Sequence, residues 1–90
     1  MKLLLDTHAF LWRLLDDPRL PHSANRLIDD VSNELFISSV SAFEIAVKVA
    51  IGKLKLPSAV RNFILAGMQE NEIKCVPMEL RHTFGLSNLP

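Results

Sequence analysis

Three short apolar runs constrain this chain more than any other feature: "KLLL" at 2–5, "LFIS" at 35–38 and "IKCV" at 73–76. Each is too short for a helix, and "LFIS" is unbroken by polar alternation, the pattern of a strand covered on both faces. The stretches between them are long and carry apolar residues at helical spacing, so no tight hairpin joins one run to the next. Strand, helical crossover, strand is the unit of a parallel sheet, and its connections are right-handed. An α/β fold with a parallel sheet follows. It fills a single domain, because ninety residues leave room for one core.

The helical segments have readable ends. "THAFLWRLL" (7–15) sets Phe10, Leu11, Leu14 and Leu15 at helical spacing and meets Asp16-Asp17-Pro18, which stops it. Pro21 opens a second helix, "HSANRLIDDVS" (22–32), with Leu27, Ile28 and Val31 expected on its inner side. "VSAFEIAVKVAI" (40–51) is strongly apolar and ends at Gly52, a natural left-handed cap. Leu54, Leu56 and Pro57 make a connector, and Ser58 is placed to cap a fourth helix, "AVRNFILAGMQEN" (59–71). Pro77 closes the third strand, and "ELRHTFGLSN" (79–88) reads as a short last helix. Repeats, low-complexity segments and linkers are absent from the sequence.

Composition removes several classes of function. A hydrophobic content of 49% against 22% charged residues describes a packed protein and excludes a disordered one. Cys75 is the single cysteine, so no internal disulfide can form, and no Cys/His cluster has zinc-site spacing. A reducing compartment is expected. The apolar runs are too short to span a bilayer and the chain opens with no leader pattern, so the expectation is a soluble, cytoplasmic protein with no membrane partner. The formal net charge is zero but unevenly spread. Residues 1–44 hold seven acids against four bases, whereas 45–69 carry Lys48, Lys53, Lys55 and Arg61 and no acid. Such a stretch can face phosphates; with so few charges, a solvated face is the plainer reading.

In parallel sheets reactive groups gather in the crevice beyond the carboxyl ends of the strands. Asp6 stands at the carboxyl end of the first strand, and Glu44 in the first turns of the helix after the second. Spacing therefore projects both toward one sheet edge. Each acid also has a purely structural explanation. Asp6, or Thr7 beside it, can cap the helix that follows. Ser41-Ala42-Phe43-Glu44 spells a capping box, and Glu44 can pair with Lys48 one turn later. Against that stands the stripe of Val40, Val47 and Ile51 on Glu44's side of the helix, where an unneutralised carboxylate would be costly. A metal cation would neutralise it.

The motifs "LLLDTHAFLW", "FISSVSAFEIAVK", "IGKLKLP" and "LRHTFGLSNLP", in this order and at these separations, resemble the PIN-domain ribonucleases, and more narrowly the VapC-type toxins of type II toxin–antitoxin pairs. The likeness runs over essentially the whole chain. It implies a three-layer α/β/α fold with a parallel sheet, of which these residues are the amino-terminal two-thirds, without the carboxy-terminal strands and helices. It also implies a small carboxylate cluster that holds Mg²⁺ or Mn²⁺ and cuts RNA, and a cognate antitoxin protein as partner. Asp6 matches the family's first acid, in its Asp-Thr pair, and Glu44 the second; Thr7 is a supporting residue that orients Asp6 or a metal-bound water, or caps the helix. Mg²⁺ takes hard oxygen ligands and keeps several waters, so few carboxylates are needed. Bound, it lowers the pKa of a water and stabilises charge on phosphate. The chain departs from the family after "LSNLP". There the family continues with a segment resembling His-x-Asp-Pro-Phe-Asp-Arg, which supplies a third acid. That acid and those beyond it have no counterpart here, and Glu79 is wrongly placed to replace them.

Two readings from different classes stand at this point. One is a metal-dependent endoribonuclease toxin. The other is a catalytically inactive remnant that acts as a binding or oligomerisation module. A phosphotransfer fold of the receiver or haloacid-dehalogenase kind ranks below both, since Thr7 and His8 occupy the places where its second acid belongs. His8, His22 and His82 share no ligand spacing, and Trp12 and the phenylalanines read as core or interface. The apolar helices 40–51 and 63–68 offer more surface than so short a chain can cover, so homo-oligomerisation is expected.

Overall fold

A computed structural model describes residues 1–77 of the chain. The elements run β1 (Lys2–Leu4), α1 (Thr7–Leu14), α2 (His22–Asp29), β2 (Glu34–Ser38), α3 (Ser39–Ala50), α4 (Val60–Glu70) and β3 (Ile73–Val76). The three strands form one parallel sheet in the order β1-β2-β3, with Leu3 beside Leu35 and Leu35 beside Ile73. The α/β class and the parallel sheet read from the sequence are both present.

The order has a physical consequence. Consecutive strands step across the sheet in one direction, and right-handed crossovers then lay every connecting helix on the same face. The core agrees: Phe10, Ile28, Ile45 and Ile64, one from each helix, meet Leu35, Ile37 and Ile73 of the sheet. The opposite face, with Lys2, Leu4, Lys74 and Val76, is exposed among the described residues, and Leu4 is 62% accessible. A second strand covered on both faces was expected; here one face of the sheet is covered among the described residues. Cys75 is likewise exposed rather than buried, because β3 lies at the sheet's edge among the described strands.

Several boundaries differ from the sequence reading, each for a local reason. The second helix stops at Asp29, short of Ser32, because the Asp30 carboxylate accepts from the Ser32 amide (2.9 Å) and hydroxyl (2.7 Å). That side-chain turn competes with the next helical turn. Val31 is therefore 99% exposed and Leu27 is exposed, leaving Ile28 as the inward residue of the three. Helix α4 starts at Val60 after Ala59, which makes no side-chain cap, so Ser58 does not fill that role. Gly52 does take a left-handed φ of 77°, as expected of the cap that ends α3. The expected helix 79–88 lies outside the described residues.

At the amino ends of the strands, Arg13 ties three elements together. Its guanidinium donates to Asn25 Oδ1 (2.6 Å) and Asn71 Oδ1 (3.0 Å) and pairs with Asp29. Among the described residues no helix is long and apolar enough to cross a membrane.

Candidate functional site

The site begins where β1 ends. Asp6 has extended backbone and its Oδ1 accepts the Ala9 amide at 2.7 Å, so it is the N-cap of α1. Thr7, the first residue of that helix, is thereby released from capping. Its hydroxyl turns across the sheet edge instead, lying 2.8 Å from Ser41 Oγ and 3.2 Å from Glu44 Oε2. Of the two supporting roles open to Thr7 in the sequence, helix capping belongs to Asp6. Thr7 joins α1 to α3.

Glu44 is placed by the second strand-to-helix junction. The N-cap of α3 is Ser38, whose Oγ accepts the Ser41 amide at 3.1 Å. The capping box spelled by Ser41 and Glu44 therefore does not form: the helix starts at Ser39, and Glu44 is already a turn and a half inside it. The cost argument from its apolar neighbours also fails. Val40, Val47 and Ile51 are exposed, as is Phe43 at 68%, so Glu44 sits on an open apolar stripe and keeps its hydration. Nor does Lys48 pair with it; the ion pairs among the described residues are Arg13–Asp29 and Arg19–Asp17.

Asp6 and Glu44 are thus brought to one corner of the sheet edge, since Thr7 adjoins the first in sequence and touches the second. Both are exposed. One oxygen of each is engaged, Asp6 Oδ1 by an amide and Glu44 Oε2 by a hydroxyl; the other oxygen of each has no hydrogen bond among the described residues. Acceptors in surplus, with no ion pair to a protein cation among the described residues, suit a divalent metal, and Mg²⁺ is commonly held by one or two carboxylates, waters and a substrate phosphate. Among the described residues no third Asp, Glu, His or Cys completes a ligand cluster.

The sequence reading passed over Ser38 and gave Ser41 only a place in a capping box. Both are buried, and they link Thr7 to the end of β2. A signal was present: two hydroxyls three residues apart at a strand's carboxyl end are spaced for a cap, and Thr7 stands at the same place after β1. The other polar features lie elsewhere. Arg19 stacks 5.1 Å above the Trp12 ring, and the His8 ring lies 5.6 Å from it. The Arg19 guanidinium, hydrogen-bonded to Asp17, holds that carboxyl below its usual range, and the Ser32 hydroxyl does the same for Asp30. Lys53, Lys55 and Arg61 are exposed and Lys48 half-buried, a solvated basic side.

No family model, curated protein or solved structure matches the chain.

Proposed function

We propose that this chain belongs to a metal-dependent endoribonuclease of the PIN-domain, VapC-type toxin class, with Asp6 and Glu44 as ligands for Mg²⁺ or Mn²⁺. The observation that supports it most is the convergence through Thr7 of two exposed carboxylates, one at the end of β1 and one in the helix after β2, each with an oxygen that makes no hydrogen bond among the described residues. In that role Asp6 and Glu44 would hold the cation, whose chemistry when bound would be activation of a water and stabilisation of charge on the phosphate, and Thr7 would fix the direction of Glu44. The three-layer α/β/α arrangement belongs to the same reading, with a further helical layer over the face that carries Leu4 and Val76. RNA is the substrate of this proposal, a cognate antitoxin its protein partner and the cytoplasm its location.

The test is a Mn²⁺ titration followed by paramagnetic broadening of backbone signals. Broadening centred on residues 6 and 44 at millimolar metal, lost in Asp6→Asn, is the expected result. Untouched signals there would remove the site. RNA cleavage in Mg²⁺ that disappears in Asp6→Asn would carry the reading from metal to chemistry, since the amide keeps the shape and loses the charge.

A second reading, a catalytically inactive binding or oligomerisation module, is favoured by a different observation. Phe43, Val47 and Ile51 line an open groove of about 330 Å³ on α3, with Glu44 at one end and Lys48 and Lys53 toward the other. On α4 the corresponding surface is small: Leu65 is exposed, while Ile64 and Gly67 are buried. Self-association, if it occurs, should therefore depend on α3. Light scattering over a tenfold concentration range checks this, with Phe43→Glu expected to return the mass to 10.1 kDa.

A further inference from the structure

Four side-chain oxygens run in line from the end of β2 to the candidate site. Ser38 Oγ lies 3.3 Å from Ser41 Oγ, Ser41 Oγ 2.8 Å from Thr7 Oγ1, and Thr7 Oγ1 3.2 Å from Glu44 Oε2. The run crosses between α3 and α1, joining residues 34 and 37 positions apart in sequence. Its inner half is dry: Ser38 and Ser41 are buried, whereas Glu44 is exposed.

Proton counting gives this run a direction. A hydroxyl has one proton to donate and two lone pairs to accept with, and a carboxylate has only acceptors. The contact with Glu44 must therefore use the proton of Thr7. That proton is then spent, so the Thr7–Ser41 contact must be donated by Ser41. By the same step the Ser41–Ser38 contact is donated by Ser38. The far end agrees, because Ser38 Oγ accepts the Ser41 backbone amide with a lone pair and so keeps its proton for Ser41 Oγ. Every O–H in the run consequently points toward Glu44, and each polarises the next.

We propose that Ser38 and Ser41 are positioning residues, which act through Thr7 to hold Glu44 Oε2 and so present its other oxygen to the Asp6 corner. The inference rests on the reading of Asp6 and Glu44 as a cation site, and it adds two residues that do not touch the cation. It explains why a carboxylate on an open helix face takes one direction: a hydroxyl whose own orientation is set by buried neighbours holds it there.

Ser41→Ala is the decisive variant, because it removes one hydroxyl and keeps the backbone amide that caps α3 through Ser38. Two measurements are made on the ninety-residue chain. Three-bond couplings report the χ1 rotamers of Thr7 and Glu44 without any metal present. Mn²⁺ titration reports the affinity of the corner. Wild type should show one rotamer at each residue. Ser41→Ala should average Thr7 and Glu44 together and raise the Mn²⁺ midpoint about 3- to 10-fold, Thr7→Val should average Glu44, and Thr7→Ser should restore the single Glu44 rotamer. Single rotamers retained in Ser41→Ala would overturn the proposal, as would a Glu44 that is averaged in wild type. If wild type binds no Mn²⁺ while the couplings change as stated, the cation reading fails and the positioning role stands.

Discussion

The two ends of the sheet are both polar and differ in what they have left over. At the amino end the donors of Arg13 are matched to acceptors across elements. Arg13 of α1 serves Asn25 and Asp29 of α2 and Asn71 beyond α4, while the Asn71 amide group donates back to the Gly67 carbonyl at 2.9 Å. The amino terminus itself donates to the Ser32 carbonyl at 3.1 Å. At the carboxyl end the hydroxyls of Ser38, Ser41 and Thr7 satisfy one another and one oxygen of Glu44, and the carboxylates of Asp6 and Glu44 keep acceptors with no cationic partner among the described residues. A matched network holds elements together and offers a ligand nothing. An end with excess acceptors contributes less to folding and is where a cation would settle. The cavity of about 190 Å³ beside Arg13 is lined by acids too, but it holds the Arg13 guanidinium among them and is a weaker candidate for a cation than the open corner at Asp6.

If that contrast is right, the two ends should respond oppositely to mutation. Removing Arg13 takes a donor from three acceptors at once, in a side chain only 22% exposed. Charged hydrogen bonds of this kind contribute on the order of 1–3 kcal/mol each, reduced here because Asp29 is itself exposed, so Arg13→Ala should lose about 2–3 kcal/mol of stability in urea. Glu44→Gln should lose less than about 0.5 kcal/mol, as exposed substitutions do. Equal losses at the two ends would erase the distinction.

Gly67→Ala tests the packing beneath the Arg13 network. A Cβ there would sit 2.3 Å from the Leu14 side chain of α1. Alanine gains about 1 kcal/mol of helix propensity over glycine, and overpacking costs about 1–3 kcal/mol. The second effect wins because the contact reaches Leu14 Cγ as well as its methyls, so the net result should be a loss of about 1 kcal/mol. A stabilised Gly67→Ala would show that α1 and α4 are free to separate. At the other end Ser38→Ala should lose about 1 kcal/mol, the usual worth of an N-cap, by thermal melting. An unchanged melting temperature would mean that another group caps α3.

How much of this the sequence carried depends on the range of the interaction. The strands were legible because their apolar runs are contiguous, and the stop at Gly52 because one residue decides it. Asp6 and Glu44 could be set at one edge because parallel topology alone puts strand ends together. Which face of the sheet is covered was not legible, since apolar runs such as "KLLL" look alike with one face buried or two. The end of α2 was missed because Asp30 and Ser32 form a local turn that outweighs the helical spacing of Val31. The role of Thr7 turned on a competition between neighbours for one amide, which Asp6 wins at 2.7 Å. The link from Thr7 to Ser41 spans 34 positions and leaves no local pattern.

The smallest expected effect concerns that same turn, at the amino end. Asp30 is held below the usual carboxylate range by the Ser32 hydroxyl first and the Ser32 amide next, with the positive amino terminus adding to it. A carboxyl whose folded pKa is depressed stabilises the fold above its unfolded value, near 4, and loses that contribution as pH falls through the lower folded value. Asp17, depressed by its hydrogen bonds from Arg19, acts in the same sense. Both groups face solvent, so the effect should be slight and weaker still in high salt. Asp30→Asn keeps an oxygen for the turn and removes the titration. It should be a little less stable than wild type at pH 6, and the gap should close as the pH falls through the lowered folded value. Urea midpoints at four or five pH values measure it. A gap that stays constant with pH would mean that Asp30 works through the shape of the turn alone, and that charge contributes nothing to how the amino end is held.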